Sequence, residues 1–196
     1  MIELPEQIVP NGAQPTLIDF GFVQESAGGA ALRIERPGNR WQVELTFPAM
    51  TGDDARLLAL RLARSKNEGL RVEYPLQGVS QGVPGAPVVN GSDSGGRVLK
   101  LRGLTRGYMI KEGYWLNLIG SDGARYLHLV ALPVRADAAG LAVLTVEPPL
   151  RIFPGDGNLA ELAKPVIEGL VMSDVTWTLS PGGLAGGFSI TLREAA

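Results

Sequence analysis

The chain has 196 residues, of which 26 are glycine and 14 are proline, so about one residue in five interrupts regular structure. This excess excludes a bundle of long helices, and an apolar content of 45% excludes an intrinsically disordered chain. The 18 basic and 20 acidic residues give a net charge of −2, without the basic cluster that nucleic-acid binding requires. The composition therefore predicts a turn-rich globular protein that does not bind nucleic acid specifically.

Several functional classes are excluded by residues that the sequence lacks. It has no run of about 20 apolar residues, so no membrane insertion is expected, and its acidic start at residues 1–6 does not resemble a secretion signal. There is no cysteine and one histidine, His128, so disulfides, thiol catalysis and thiolate metal sites are excluded. We expect a soluble protein that is not an enzyme and has no metal or cofactor.

Alternating apolar and polar residues predict the first strands. Residues 41–47 alternate throughout, which is typical of a half-buried strand. Shorter alternating runs at residues 32–34 and 70–74 predict two more strands.

One segment, at about residues 52–66, is predicted to be a helix. Thr51 can cap its N-terminus and Gly69 can end it. Its apolar face has side chains spaced three and four residues apart: Ala55, Leu58, Ala59 and Leu62. With the strands on either side, this helix indicates an antiparallel sheet that carries one packed helix.

Residues 77–96 have no sustained pattern and are far longer than a common loop of about 4 to 6 residues. They predict a flexible linker or arm. Two short motifs within them suggest a serine hydrolase as an alternative function. Ser80 lies in a G-x-S-x-G match, but a proline-containing stretch follows it where the nucleophile elbow needs a helix. Ser94 lies in a chymotrypsin-like segment, but His128 follows it, although that family needs the histidine first.

A small barrel is predicted after this linker. Turn-forming residues separate five short strand candidates, at residues 97–102, 108–111, 114–119, 125–130 and 141–146. Five strands within about 50 residues fit a small closed barrel of the oligonucleotide-binding (OB) architecture. Residues 175–179 and 188–192 predict a C-terminal hairpin around a glycine-rich turn.

These elements together predict a mostly β fold with one packed α-helix. Residues 1–76 and 151–196 form a discontinuous, antiparallel β-sandwich-like domain, into which a five-stranded OB-like barrel at residues 97–150 is inserted. A single continuous sandwich is the alternative.

Three aromatic residues form a possible interaction surface on the barrel: Tyr114, Trp115 and Tyr126. Because Tyr114 and Trp115 are adjacent in a strand, they point to opposite faces, and one of them can be exposed. His128 lies on the strand face that Tyr126 shares, which predicts a surface or core histidine rather than a metal ligand. Trp177 lies on an apolar strand face, where core packing is the default.

The order of these features resembles a known family. Segments of the predicted barrel are similar to small-barrel segments in tail proteins of long-tailed bacteriophages: residues 111–118, 125–130, 137–140 and 146–151. The strand that starts at Arg40-Trp41 and the helix with Leu57-Leu58 resemble the ring-forming part of distal tail proteins. The resemblance covers about residues 30–155.

This resemblance implies a structural protein of the virion that is assembled in the bacterial host cytoplasm. Copies of the chain would form a homo-oligomeric ring, hexameric in this family, that joins the tail tube to the tail tip or baseplate. Its partners would be further copies and the neighbouring tail-tube and tail-tip proteins, with the barrel as a peripheral docking platform. The alternative is a glycan-binding β-module of a tail or cell-surface assembly, which would use Tyr114, Trp115 and Tyr126.

Overall fold

The structure is a computed structural model that describes residues 1–25, 28–36, 38–76 and 78–195. In these residues the mostly β class with one helix is confirmed. The helix is α1 (Gly52–Glu68). The strands are β1 (Ile2–Glu3), β2 (Gly12–Ile18), β3 (Phe22–Glu25), β4 (Ala31–Ile34), β5 (Arg40–Thr46), β6 (Met50–Thr51), β7 (Leu70–Glu73), β8 (Gly85–Val89), β9 (Val98–Leu104), β10 (Met109–Ile110), β11 (Trp115–Ile119), β12 (Arg125–Val130), β13 (Val134–Arg135), β14 (Ala142–Glu147), β15 (Ala160–Glu161), β16 (Val166–Val171), β17 (Thr176–Ser180) and β18 (Leu184–Glu194). No helix of the described segments is long and apolar enough to cross a membrane.

The chain divides into two compact units, and both are discontinuous in sequence. Unit 1 contains Met1–Thr16, Trp41–Val79 and Val166–Ala196, and unit 2 contains Leu17–Arg40 and Ser80–Pro165. These limits differ from the predicted ones, because residues 17–40 and 151–165 belong to the unit that contains the barrel strands. Local alternation identifies a strand but not the sheet that it joins, so the sequence pattern could not place these boundaries.

Unit 1 is built around one sheet with the order β1-β7-β16-β18-β5-β2. β18 pairs with β16 and β17 along one edge and with β5 and β6 along the other. Most of these pairings are antiparallel, but β1 and β7 run parallel. The predicted C-terminal hairpin is confirmed as β17 and β18, although β18 begins at Leu184, before the predicted start.

Helix α1 buries its apolar face within unit 1, as the spacing of its apolar residues predicts. The buried side chains of the helix are Ala55, Leu58, Leu62 and Ser65. Thr51 occupies the N-cap position, but its side chain makes no capping hydrogen bond, so that part of the prediction is wrong. The helix ends as predicted at Gly69, which has a positive φ of 74° and donates its N–H to the Ser65 carbonyl at 2.9 Å.

Unit 2 contains a six-stranded sheet with the order β15-β11-β12-β14-β9-β8. The sheet nearly closes on itself, because Val88 of β8 bridges to Leu159, next to β15, and Val89 N–H donates to the Asn158 carbonyl at 2.8 Å. Its interior is filled by large apolar side chains, including Leu99, Leu101, Ile110, Leu116, Leu118 and Leu144. The result is a barrel-like unit with an apolar core.

This sheet has one strand more than the predicted five-stranded barrel. Four of the five predicted strands are present in it as β9, β11, β12 and β14, whereas residues 108–111 supply β10, which pairs separately with β13. The added strands β8 and β15 come from segments whose glycine, proline or short length hides any alternation.

The described part of the predicted linker, residues 78–96, is built into unit 2 from Ser80 onward rather than forming a free arm. Gln81 is buried, its side-chain amide donates to the Trp115 carbonyl at 2.7 Å, and its Oε1 accepts the Trp115 N–H at 2.7 Å. The same segment contributes β8 to the sheet. The Gln81 side chain satisfies backbone groups that would otherwise pair with a neighbouring strand. Because such a contact does not need alternating residues, the sequence of this segment does not reveal it.

Gly103 lets β8 and β9 approach closely at an irregular point of their pairing. The register shifts between Gly85 and Val88, and Gly103 has a positive φ of 81°. A Cβ atom at Gly103 would lie 2.5 Å from the Ala86 carbonyl oxygen. Position 103 therefore requires glycine for both its backbone conformation and its space.

His128 lies in the interior of the barrel-like unit and is fully buried. Its Nδ1 lies 2.9 Å from the Pro148 carbonyl oxygen, so Nδ1 carries the proton and donates. Nε2 has no hydrogen-bond partner among the described residues. Burial lowers the pKa of His128 to about 4; the Pro148 hydrogen bond opposes this shift and the nearby Arg151 charge adds to it.

Replacing Gly103 by alanine is expected to destabilise the protein by at least ~2 kcal/mol, because both the left-handed conformation and the contact with the Ala86 carbonyl become unfavourable. Urea unfolding at neutral pH measures the difference. Gly95→Ala is the matched control in the same unit, since Gly95 has an ordinary φ and its nearest side-chain neighbour, in Phe153, is 3.5 Å away. Equal stabilities of the two variants would contradict this account of Gly103.

The folded state should lose stability between about pH 6.5 and pH 4 because of His128. In the unfolded chain this histidine takes up a proton near pH 6.5, whereas in the folded chain it does so only near pH 4. The unfolded state therefore binds more protons in this window, and the linked loss is ~3 kcal/mol on going from pH 7 to pH 4.

The comparison variant is His128→Asn, which keeps a donor for the Pro148 carbonyl but does not titrate. The free energy of unfolding of the wild type should fall by ~3 kcal/mol more than that of the variant between pH 7 and pH 4. Urea denaturation at intervals across this range measures it. Parallel pH profiles would mean that His128 is not held neutral.

Candidate interaction surfaces

The three predicted surface aromatics do not form one open face. Tyr126 is only 7% exposed and belongs to the core of the barrel-like unit, with the Arg151 guanidinium 4.9 Å from its ring centroid. Tyr114 is partly buried and packs against the same core. Trp115 is partly buried, and its backbone N–H and C=O are both bound to Gln81. Tyr126 is therefore not available to stack on a sugar ring outside the barrel.

In each of the two serine motifs the serine hydroxyl oxygen accepts a hydrogen bond from a nearby backbone N–H. Ser80 is exposed, its Oγ accepts the Gly82 N–H at 3.2 Å, and the next element along the chain is the strand β8 rather than a helix. Ser94 is buried, and its Oγ accepts the Lys100 N–H at 3.1 Å. Within the described residues no group of three or more histidine, aspartate or glutamate side chains could hold a metal ion.

In unit 2 an exposed β-hairpin, β3–β4, presents apolar side chains to solvent. Phe22 is paired with Ile34 across the hairpin, and Gln24 with Leu32, so Phe22, Leu32 and Ile34 share one face. Phe22 is 43% exposed and Leu32 is 61% exposed. The Arg36 guanidinium lies 4.9 Å from the Phe22 ring centroid, which places a cation beside the apolar face.

The base of this hairpin is fixed to the barrel-like sheet by a three-residue charge network. Arg97 donates to both carboxylate oxygens of Glu35, at 2.7 and 3.0 Å, and to Glu147 at 2.6 Å. The hydrogen bonds from Arg97 lower the pKa of Glu35, and those to Glu35 and Glu147 raise the pKa of Arg97. Bidentate geometry sets the direction of the guanidinium as well as its charge, so the network orients the hairpin within its own unit.

In unit 1 the strand β17 is exposed along its whole length. Among the described residues its only strand partner is β18, so its second edge has no strand beside it. Leu179 is 76% exposed and Trp177 is 42% exposed, although Trp177 stacks on Phe188 with 5.7 Å between ring centroids. The prediction that Trp177 packs in a core is therefore only half right. An open strand edge with exposed apolar side chains beside it is typical of a surface that receives another chain.

Unit 1 also contains a groove of about 600 Å³, which we call the N-terminal groove. It lies between residues 3–12 and residues 71–76, with Val166 at one side. Ile8 and Tyr74 are buried at its wall, whereas Val9 is 59% exposed. Burial raises the pKa of Tyr74 to about 12, so its hydroxyl stays protonated and uncharged at neutral pH.

Sequence reasoning missed β3, the open edge of β17 and the N-terminal groove. The strand-forming residues Phe22 and Val23 could have indicated β3 beside the predicted strand at residues 32–34, although residues 20–25 do not alternate. No comparable signal exists for the groove, because residues 3–12 and 71–76 are far apart in the chain.

A scan against protein-family models finds no match for this sequence, and a search of curated proteins finds no significant match either. The surfaces described above and the sequence resemblance are therefore the observations from which a function can be inferred.

The charge network predicts a measurable effect on the hairpin. Arg97→Ala should increase amide hydrogen exchange in β3 and β4 by about threefold or more, because it removes both contacts that hold Glu35. Mass spectrometry of peptides from this region measures the exchange.

Lys100→Ala is the matched control. It removes an exposed ion pair between Asp93 and a residue of β9, three positions after Arg97, without touching the hairpin. If Arg97→Ala leaves the exchange of β3 and β4 at the control level, the network does not hold the hairpin.

Proposed function

We propose that this chain is a structural subunit of the tail tip of a long-tailed bacteriophage. Copies of it form a ring, of six subunits as in the distal tail proteins that its sequence resembles, and the ring joins the tail tube to the tip or baseplate. The ring is part of the virion and is assembled in the cytoplasm of the bacterial host. Its partners are further copies of the chain and the adjoining tail-tube and tail-tip proteins.

The observation that carries this proposal is the exposure of two unlike apolar surfaces. One is the β3–β4 hairpin of unit 2, and the other is the open edge of β17 in unit 1. Monomeric proteins protect exposed strand edges and apolar strands, because these surfaces promote association. A cyclic ring needs two different, complementary surfaces on every subunit, and a ring placed within a tail needs further contacts to the proteins above and below it.

The chemistry of the chain supports the same function. The two serines that resemble hydrolase motifs are occupied by backbone N–H groups, and His128 is enclosed in the barrel core. A ring that joins two parts of a tail needs stable β-rich units and surfaces for assembly, and these are the features that the two units offer.

The purified chain is therefore expected to assemble at low micromolar concentration. Light scattering coupled to size-exclusion chromatography should give a mass six times the 20.8 kDa of one chain, because closed point-group assemblies have a fixed stoichiometry. Negative-stain electron microscopy should show rings with an open centre.

A second measurement tests the location. Mass spectrometry of purified virions from the phage or prophage that encodes the chain should detect it, and gold-labelled antibodies should mark the end of the tail tube. A strictly monomeric chain at high concentration, together with its absence from purified particles, would overturn the proposal. Labels along the whole tube would indicate a tube protein instead.

A further inference from the structure

We infer that the N-terminal groove of one copy binds the β3–β4 hairpin of a second copy. The inference rests on the proposed function, since it names the contact between neighbouring subunits of the ring. Both surfaces are present on every copy and they are unlike each other, so the contact is heterologous and can close into a ring.

The groove has the size and lining of a site for apolar side chains. Its volume of about 600 Å³ is within the range of small-ligand pockets. Its apolar lining includes Leu4, Ile8, Val9, Tyr74 and Leu76. The aromatic and aliphatic side chains of the hairpin face can therefore lose water against this apolar part of the groove.

The groove is acidic. Four charged residues line it, of which Glu3, Glu6 and Glu73 are acidic and Arg71 is basic. Arg71 is already engaged, because its Nη1 donates to Glu3 at 3.1 Å and its Nε donates to Glu168 at 2.8 Å. Glu6 and Glu73 are exposed and form no ion pair within the described residues, so the groove favours a ligand that brings positive charge.

The apolar face of the hairpin has a positive charge beside it. Arg33 is paired with Asp19, and Glu35 is held by Arg97. The described residues provide no ion pair for Arg36, which follows β4 and whose guanidinium lies 4.9 Å from the Phe22 ring centroid. The exposed carboxylate of Glu25 belongs to the opposite face, since Glu25 is paired with Ala31. The apolar face with its adjacent cation therefore complements an apolar groove with unpaired carboxylates.

The contact is tested with two variants, each of which damages one surface at exposed positions. The groove variant carries Glu6→Lys and Glu73→Lys, which repel Arg36 beside the hairpin. The hairpin variant carries Phe22→Asn and Leu32→Asn, which remove its apolar side chains without adding a charge that the lysines of the groove variant would attract. All four positions are exposed, so both variants should keep the far-ultraviolet circular dichroism of the wild type.

Each variant alone should be monomeric under conditions in which the wild type assembles, whereas an equimolar mixture should form a 1:1 heterodimer. The groove variant retains an intact hairpin and the hairpin variant retains an intact groove, so one productive contact remains and the assembly cannot grow further. Native mass spectrometry with chains of different isotope composition measures this. Leu132→Asp is the control, because Leu132 is 58% exposed outside both surfaces, and it should assemble like the wild type.

A second readout uses the absence of natural cysteine from the sequence. Chains carrying Val9→Cys in the groove and chains carrying Leu32→Cys in the hairpin should form a disulfide-linked heterodimer when they are mixed and oxidised. The homodimers should form at least tenfold less efficiently. Equal yields of all three dimers would contradict a groove-to-hairpin contact.

The outcomes separate this inference from the proposed function. If both variants assemble like the wild type, the ring uses another surface, such as the edge of β17, and only the inference is overturned. If each variant is monomeric but their mixture also stays monomeric, the two surfaces do not face each other and the inference is again overturned. If the wild type itself never associates, the inference is overturned, and absence of the chain from purified particles then overturns the proposed function as well.

Discussion

The architecture of unit 1 depends on the backbone pairing of one strand, β18. At Leu192 this strand is flanked by Val171 of β16 on one side and by Val43 of β5 on the other. Near its end, Glu194 is buried and accepts the backbone N–H of Trp41 at 2.7 Å, across a sequence separation of 153 residues. Because a buried backbone group without a partner is costly, the last residues of the chain must be in place before the sheet is complete. β17 pairs with the first part of the same strand, β18, and among the described residues no strand lies along its other edge.

Unit 2 has fewer unpaired backbone groups at its strand edges, because its sheet nearly closes on itself. The bridge between Val88 and Leu159 lets the first and last strands of the sheet satisfy each other, which removes an edge that would otherwise attract other chains. Exposed apolar side chains occur in both units, and Phe153 and Val83 of unit 2 are 90% and 79% exposed. The β3–β4 hairpin, β17 and the N-terminal groove differ from these scattered positions, because each combines apolar side chains with a strand edge or a concave surface. These three surfaces support the proposed assembly.

Much of the secondary structure could be predicted, because it depends on local patterns. β5 has strict alternation, α1 has apolar side chains at helical spacing, and Gly69 ends the helix where glycine is favoured. β8 and β15 could not be predicted, since glycine and proline in β8 and the two-residue length of β15 hide any alternation. The predicted aromatic surface could not be located from the sequence. The alternation of β12 places Tyr126 and His128 on one face, but only the nearly closed sheet turns that face inward and buries both residues.

The sequence by itself determined the β-rich class, the single helix and the absence of cysteine chemistry, because composition and short-range periodicity control these properties. The tertiary structure decided which strands share a sheet, which residues belong to each unit, and which apolar side chains remain outside. Trp41 and Trp177 illustrate the difference. Both lie on apolar faces of alternating strands, yet Trp41 is buried and Trp177 is 42% exposed. The reason is that β5 has neighbours on both sides in its sheet, whereas β17 lies at an open edge, and a residue's neighbours across a sheet are not written in its own segment of sequence.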